Sequence, residues 1–460
     1  MVSAEASPFA STGGLGDVLQ GLPKALVNQG HEVAVALPLY PRVRSFNPEV
    51  VLHGLRFASA NHAFTADVAR VERAGVSYLF LEVPELFDRP GIYGEFDIDY
   101  PDNTFRYSAL ARGALAIAQS VFTPDIIHCH DWPTALLPVI LAEHFHSQPA
   151  LMGLKTVLTI HNLAYQGPVS RPQSIALGLN GVFKHEHASM LRGGIEAATR
   201  ITTVSPTYAR DICQPAFGCG LDSLLSRRSA DLHGILNGID ADLWDPALDP
   251  HLPAHFSKQT LSGKQDVKAA LLREFGLPPE RISRPLIGVV ARLANQKGLD
   301  LLSQNPQQFL DLDASLILTG DGNPQEEDFF RWLAAAHPNR VATKIGFDTA
   351  QCHRIIAGSD VFLMPSRYEP CGLTQLYAMR YGTLPVVHAT GGLKDTVTPE
   401  TGFSFETHSW RALLHSLREM IATWGTPRWT LMQNAAMSAD YSWAASAAQY
   451  SALYEGMNHN

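Results

Sequence analysis

The chain has 460 residues, 46% of them hydrophobic, too many for one core, so two or three domains are implied. Its formal charge is −9, and its 35 lysines and arginines are scattered, which excludes nucleic acid or an anionic membrane as the main partner. Five cysteines (Cys129, Cys213, Cys219, Cys352, Cys371) are an odd number and form no C-x-x-C pair, excluding a disulfide framework or a zinc ribbon and fitting a reducing, cytoplasmic compartment. No signal-like start and no apolar run of ~18 residues is visible, so a soluble, unexported protein is expected.

In chain order, Met1 to Ala4 is the first apolar run, short of the ~5–6 residues of an ordinary strand. It is either a shortened strand or a truncated start. The glycine turn Ser11-Thr12-Gly13-Gly14-Leu15-Gly16-Asp17 follows, ahead of the helical run Val18 to Asn28, and suits an anion. Strands are then predicted at Glu32–Leu37, Tyr78–Val83, Asp125–Cys129, Thr156–Ile160, Arg200–Val204 and His233–Leu236. Near-continuous apolar strands alternating with helices mean parallel sheets covered on both faces. Ser205 with Pro206 reads as a helix start, and Asp131 near Pro133 as a second.

Between Asp240 and Pro285 the alternation lapses into a Pro- and Asp-rich stretch, read as an interdomain segment. Strands resume at Leu286–Ala291, Ser315–Thr319, Val361–Met364 and Leu384–His388, and helices are predicted at Ser409–Trp424 and Trp443–Tyr454. No internal repeat is visible. The predicted division is 1–245, an interdomain segment at 246–285, a second domain at 286–440, and a terminal helix at 441–460.

In open parallel sheets ligands gather beyond the carboxyl ends of the strands. His130, Asp131, His161, Asn162, Ser205, Asn237, Arg292, Asp321 and Glu369 all fall there, although Ser205 and Asp321 serve equally as caps or turns. After the strand ending at Met364, Glu369 precedes Pro370, Cys371 and Gly372, and a helix over Thr374 to Tyr381 ends at Gly382. The N–H groups of Gly372, Leu373 and Thr374 are therefore expected as unpaired helix-start donors suited to phosphate. Taken alone, this is equally an ordinary strand-turn-helix unit. Two anion-suited turns in two halves suggest one ligand between them.

Together these stretches resemble the bacterial glycogen synthase and plant starch synthase family. The resemblance runs through the glycine turn at 11–17, His130-Asp131-Trp132, His161 to Gly167, Val204 to Ala209, Asn237-Gly238-Ile239-Asp240, Arg292 with Lys297-Gly298, and Pro365 to Thr374. It implies an α/β protein of the GT-B fold, with two Rossmann-like domains whose parallel sheets face each other across a cleft, and a last helix crossing back onto the first domain. It also implies glucose transfer from ADP-glucose to the non-reducing end of an α-1,4-glucan, with no cofactor beyond the nucleotide sugar. The family's first motif carries lysine where this chain has Ser11. Many related transferases with other acceptors carry a second Glu eight residues after the first; here that position is Tyr377, which favours the synthase group.

A departing diphosphate gathers negative charge, and fixed cations lower that barrier most where water is scarce. Arg292 and Lys297 offer a forked donor and a compact charge, matching the family residues that contact the diphosphate. With them the resemblance makes His161 and Glu369 catalytic. Ser11, Gly13, Gly14, Asp17, Asn237, Cys371, Gly372, Leu373 and Thr374 are expected at the donor, and Tyr93, His130, Asp131 and Asn162 at the acceptor. The Tyr93 loop reads equally as a surface excursion, and His161 as a satisfied buried histidine. No metal is expected: the Asp-x-Asp triplets at 97–99, 240–242 and 311–313 fit turn chemistry, and His128-Cys129-His130-Asp131 alternates faces and lacks a fourth ligand. The resemblance also implies retention at the anomeric carbon; no carboxylate pair of the kind used by retaining glycosidases is identifiable, so front-face attack by the acceptor 4-hydroxyl, with the leaving phosphate helping to remove its proton, is the expected route. Ser11 also motivates a contrary reading, a glucan-binding homologue with little catalysis. Oligomeric state is not readable.

Overall fold

The computed structural model describes residues 1–95, 98–145, 148–179 and 188–458. It resolves into two compact units, Met1–Gly238 with Trp443–Asn460, and Ile239–Ser442.

In the first unit, β1 (Ala34–Pro38) pairs in parallel with β4 (Val76–Glu82), and β2 (Glu49–Ser59) and β3 (His62–Arg73) extend that edge in antiparallel. A ribbon of β5 (Gly94–Glu95) and β6 (Ile98–Asp99) follows. Then β7 (Ile126–His130), β8 (Lys155–Ile160), β9 (Arg200–Thr203) and β10 (Leu232–Gly234) form a second parallel set. Val2 joins the sets, bridging in parallel to Ala36 on one side and Cys129 on the other. Its N–H donates to His128 O at 2.8 Å, while the Ser3 N–H donates to Ala36 O at 3.1 Å. Three residues thus form the central strand, long enough because they are hydrogen-bonded on both sides. Phe9, fully buried against Phe46, Tyr78 and Phe80 at ring-centroid distances of 4.9, 4.8 and 5.1 Å, anchors the segment leading into the glycine turn. The terminal helix Trp443–Asn458 belongs to this unit, with Ser446 donating to Leu236 O and Tyr454 reaching His128.

The hairpin of β2 and β3 lies outside the predicted strands. Its edge strand is largely exposed and its register shifts twice, between Val50 and Leu52 and between Leu52 and Leu55, which erases the period-two pattern.

The second unit is a six-stranded, wholly parallel sheet: β11 (Leu286–Val290), β12 (Ser315–Gly320), β13 (Val341–Ile345), β14 (Val361–Met364), β15 (Leu384–His388) and β16 (Phe403–Phe405). Their order is β13-β12-β11-β14-β15-β16, so the winding reverses between β11 and β14. The stretch 246–285, expected as an interdomain segment, is built into this unit. Leu252, Phe256 and Val267 are core residues. Trp244 is sandwiched between His353 and Tyr377 at 3.9 and 3.7 Å. Buried Asp249 accepts hydrogen bonds from the His353 ring at 2.7 Å and from the Tyr381 hydroxyl. The helix Ser262–Glu274 was hidden in the sequence because Lys264 and Lys268 lie on its buried side. Lys264 donates to Ala357 O, Tyr381 O and Thr383 Oγ1, and Lys268 pairs with Asp360 at 2.7 Å.

Candidate active site

In the second unit, the reversal between β11 and β14 is where an open α/β sheet offers a crevice at its carboxyl edge. The loop leaving β11 carries Arg292 and Lys297; the loop leaving β14 carries Ser366 and Glu369. The two loops are strapped together. Arg367 N donates to Gln296 O at 2.8 Å, Gln296 Nε2 donates to Tyr368 O, and the Arg367 guanidinium forms a forked pair with Asp300 at 2.6 and 2.8 Å. Two glycines permit the close approach. Gly298 has φ +64°, and a Cβ there would stand 2.1 Å from Pro365 O; Gly391 has φ +45°, and a Cβ there would stand 2.0 Å from Glu369 O.

Lys297 Nζ lies 2.7 Å from Glu369 Oε2, and Ser366 Oγ donates to the same oxygen at 3.1 Å. Lys297, Ser366 and Thr374 line one small cavity. Arg292 is exposed, and its guanidinium has no hydrogen-bond or ion-pair partner among the described residues. The helix beyond runs Thr374–Arg380, with Tyr381 closing it and Gly382 in the left-handed region. The N–H groups of Gly372, Leu373 and Thr374 make no hydrogen bond among the described residues, while Cys371 O and Gly372 O accept from Gln375 Nε2. The Cys371 side chain is buried. This edge therefore offers one uncommitted cation, one cation held by a carboxylate, and three amide donors.

In the first unit the corresponding reversal lies between the Val2 strand and β7. Gly13 caps the helix Gly14–Asn28. Ser11 is exposed and donates to Gly13 O at 3.1 Å, so it closes the turn without charge. Burial pushes the Asp17 carboxyl up to about 6, opposed by a Ser7 hydrogen bond and reinforced by Glu5. Glu5, which the sequence reading missed, organises this region. Buried at the end of the Val2 strand, it accepts from Tyr93 OH at 2.6 Å, from Thr12 N at 2.6 Å and from Thr12 Oγ1 at 2.9 Å. Its strand-end position was the available signal. Tyr93 is pinned, not part of a loose excursion: Asn103 Nδ2 donates to Tyr93 O, and buried Arg106 donates to Leu86 O and Ile92 O. The Tyr93 ring lies 5.7 Å from Trp132, and burial raises its hydroxyl pKa well above the ordinary value.

Asp131, half-buried at the end of β7, has φ +61°, a strained conformation for a non-glycine residue. Its carboxylate accepts from His161 N at 3.1 Å and Asn162 N at 3.5 Å, yet burial pushes its pKa up to about 7. His161 is half-buried, and burial lowers its pKa to about 3. Asn162 accepts from Ala164 N. Asn237 is buried, and its Oδ1 has no hydrogen-bond partner among the described residues. His130, expected at the acceptor, has its side chain wholly buried between His128 and His161. Ser205 is a helix cap, accepting from Tyr208 N.

Among the described residues no group of three His, Cys, Asp or Glu is arranged to hold a metal. Asp240 accepts from Asp242 N and Leu243 N as a turn, and Asp313 pairs with Arg281. Asp97 of the first triplet lies outside the described residues.

These two carboxyl-edge sites, one rich in donors and cations, define a glycosyltransferase of the GT-B class. Residues 1–227 match the family model described as starch synthase catalytic domain, and 278–435 the one described as glycosyl transferases group 1. A glycogen synthase of Anaeromyxobacter dehalogenans is 45% identical, covering 98% of each chain, and one of Streptococcus gordonii is 42% identical, covering 99% of each. The catalytic domain of starch synthase IV from Arabidopsis thaliana, solved with ADP and acarbose, superposes with a TM-score of 0.90 at 33% identity, covering 100% of this chain and 99% of that one. The chain belongs to the glycogen and starch synthase family.

Proposed function

We propose that the protein transfers glucose from ADP-glucose to the non-reducing end of an α-1,4-glucan, with retention at the anomeric carbon. The reading is carried by the carboxyl edge of the second unit, where the unpartnered Arg292 guanidinium and Lys297 offer positive charge beside three free amide donors. In this reading Arg292 and Lys297 meet the diphosphate, Gly372, Leu373 and Thr374 donate to its oxygens, and Glu369 holds Lys297 while facing the glucose hydroxyls. Cys371 contributes through its backbone. In the first unit, Ser11, Gly13, Gly14, Asp17 and Asn237 are assigned to the donor, and Tyr93, Asp131 and Asn162 to the glucan acceptor. Attack is on the front face: the acceptor hydroxyl oxygen bonds to the anomeric carbon as its bond to the diphosphate breaks, and the proton passes to the leaving phosphate oxygen. No metal or further cofactor enters the reaction, and the cytoplasm is the compartment proposed.

Ser11 favours a second reading, a glucan-binding homologue with slow turnover, because the turn lacks the family's cation. An ADP-release assay with ADP-glucose and glycogen, alongside UDP-glucose and a no-acceptor control, separates the two. Acceptor-dependent release supports the synthase, and glycogen binding without release supports the homologue.

A further inference from the structure

Two buried histidines, His128 and His130, form with His161 a connected stack behind the first unit's site. His128 is fixed at both ring nitrogens, Nδ1 to Tyr454 OH at 2.6 Å and Nε2 to Thr159 Oγ1 at 2.5 Å, and Thr159 Oγ1 meets Thr202 Oγ1 at 2.5 Å. The His128 ring stacks on His130 at 4.1 Å with a 28° interplanar angle, so His130 has little freedom to turn. His130 Nδ1 in turn lies 3.1 Å from His161 Nε2, while His130 Nε2 is buried without a partner among the described residues.

Two neutral imidazoles sharing one hydrogen bond have one donor and one acceptor between them. If His161 Nε2 carried the proton, His130 would accept at Nδ1, and its own proton would be left on Nε2 as an orphaned N–H in the core. If His130 Nδ1 carries the proton, Nε2 is left only as an unfilled lone pair. Orphaned buried N–H groups are the rarer of the two. Burial also disfavours a cation anywhere in the stack, keeping all three rings neutral.

We propose that His130 is a positioning residue: its Nδ1–H donates to His161 Nε2 and thereby fixes His161 as the Nδ1–H tautomer, which presents a hydrogen-bond donor, not a base, to the sugar. His161 Nδ1 has no partner among the described residues, so it is the nitrogen available to a ligand. This deepens the proposed transfer reaction and rests on it, since a donor at a glucose hydroxyl is compatible with proton removal by the leaving phosphate. The same tautomer logic governs histidines whose far nitrogen is held by a second residue.

The test is a two-bond proton–nitrogen correlation spectrum of the full-length protein labelled at histidine ring nitrogens, with His161 assigned by its loss in His161→Gln. The expected spectrum has His161 protonated at Nδ1 and bare at Nε2; a proton on Nε2 overturns the proposal. This readout needs no turnover, so it stands apart from any failure of the glucosyl-transfer reading. As the kinetic arm, His130→Asn, whose carboxamide N–H can occupy the Nδ1 position, keeps kcat within about threefold, whereas His130→Leu loses roughly tenfold or more with the donor KM little changed. Equal kcat in both folded variants also overturns it.

Discussion

The two carboxyl edges meet the same kind of task with opposite means. In the second unit the side chains are charged and partly uncommitted: Arg292 has no partner among the described residues, and Lys297 is tied only to Glu369 and is still accessible. In the first unit the turn is closed by neutral Ser11, and Glu5, Asp17 and Asp131 are held by hydrogen bonds to Tyr93, Thr12, Ser7 and backbone amides. The contrast teaches that, on the proposed reading, the positive charge for a diphosphate is offered by the second unit, whereas the polar groups of the first are spent on hydrogen bonds that fix its own loops.

The largest expected effect breaks the charged side. Lys297→Ala removes a cation and leaves Glu369 without its partner, and kcat/KM for glucosyl transfer should fall by roughly 100-fold or more, measured by ADP release. Next comes the hydrogen-bonded side. Glu5→Gln keeps the shape but loses the charge-assisted bonds to Tyr93 and Thr12, and a loss of about tenfold in kcat/KM is expected, with Tyr93→Phe adding little to it. Sharpening the contrast from the other direction, Ser11→Lys should raise transfer several-fold by returning a cation to the turn; no gain would count against the role given to that position.

The smallest effect is on stability. Because burial raises the Asp131 carboxyl to about 7 in the folded protein against an ordinary 3.8, the native state binds more protons than the unfolded state between those values. Stability therefore declines as pH rises through that window. Asp131→Asn, which can still accept from the His161 and Asn162 amides and tolerates the positive φ, should remove the decline, so its melting temperature relative to the native protein should be higher at pH 8 than at pH 4.

Much of this architecture was legible because strands buried on both faces announce themselves. All ten later predicted runs coincide with observed strands, and Thr374 to Gly382 ends as its composition indicated. What escaped did so for physical reasons. The edge hairpin carries bulges that break its alternation, and the helix Ser262–Glu274 hides two lysines whose ammonium groups are satisfied by carbonyls, a hydroxyl and a carboxylate from distant positions. His130 read as a site residue because it ends a strand beside Asp131, and only the stacking of His128 above it reveals that it faces the core. Glu5 escaped because the strand that carries it is three residues long.

The central claim, that cations of the second unit carry the diphosphate, is tested most directly by calorimetric titration of ADP into the native protein and into Arg292→Ala. Arg292 is exposed, so the variant should fold as the native protein does. An affinity about 10- to 100-fold weaker in the variant is expected from the loss of one charge-assisted contact. An unchanged ADP affinity would contradict the claim.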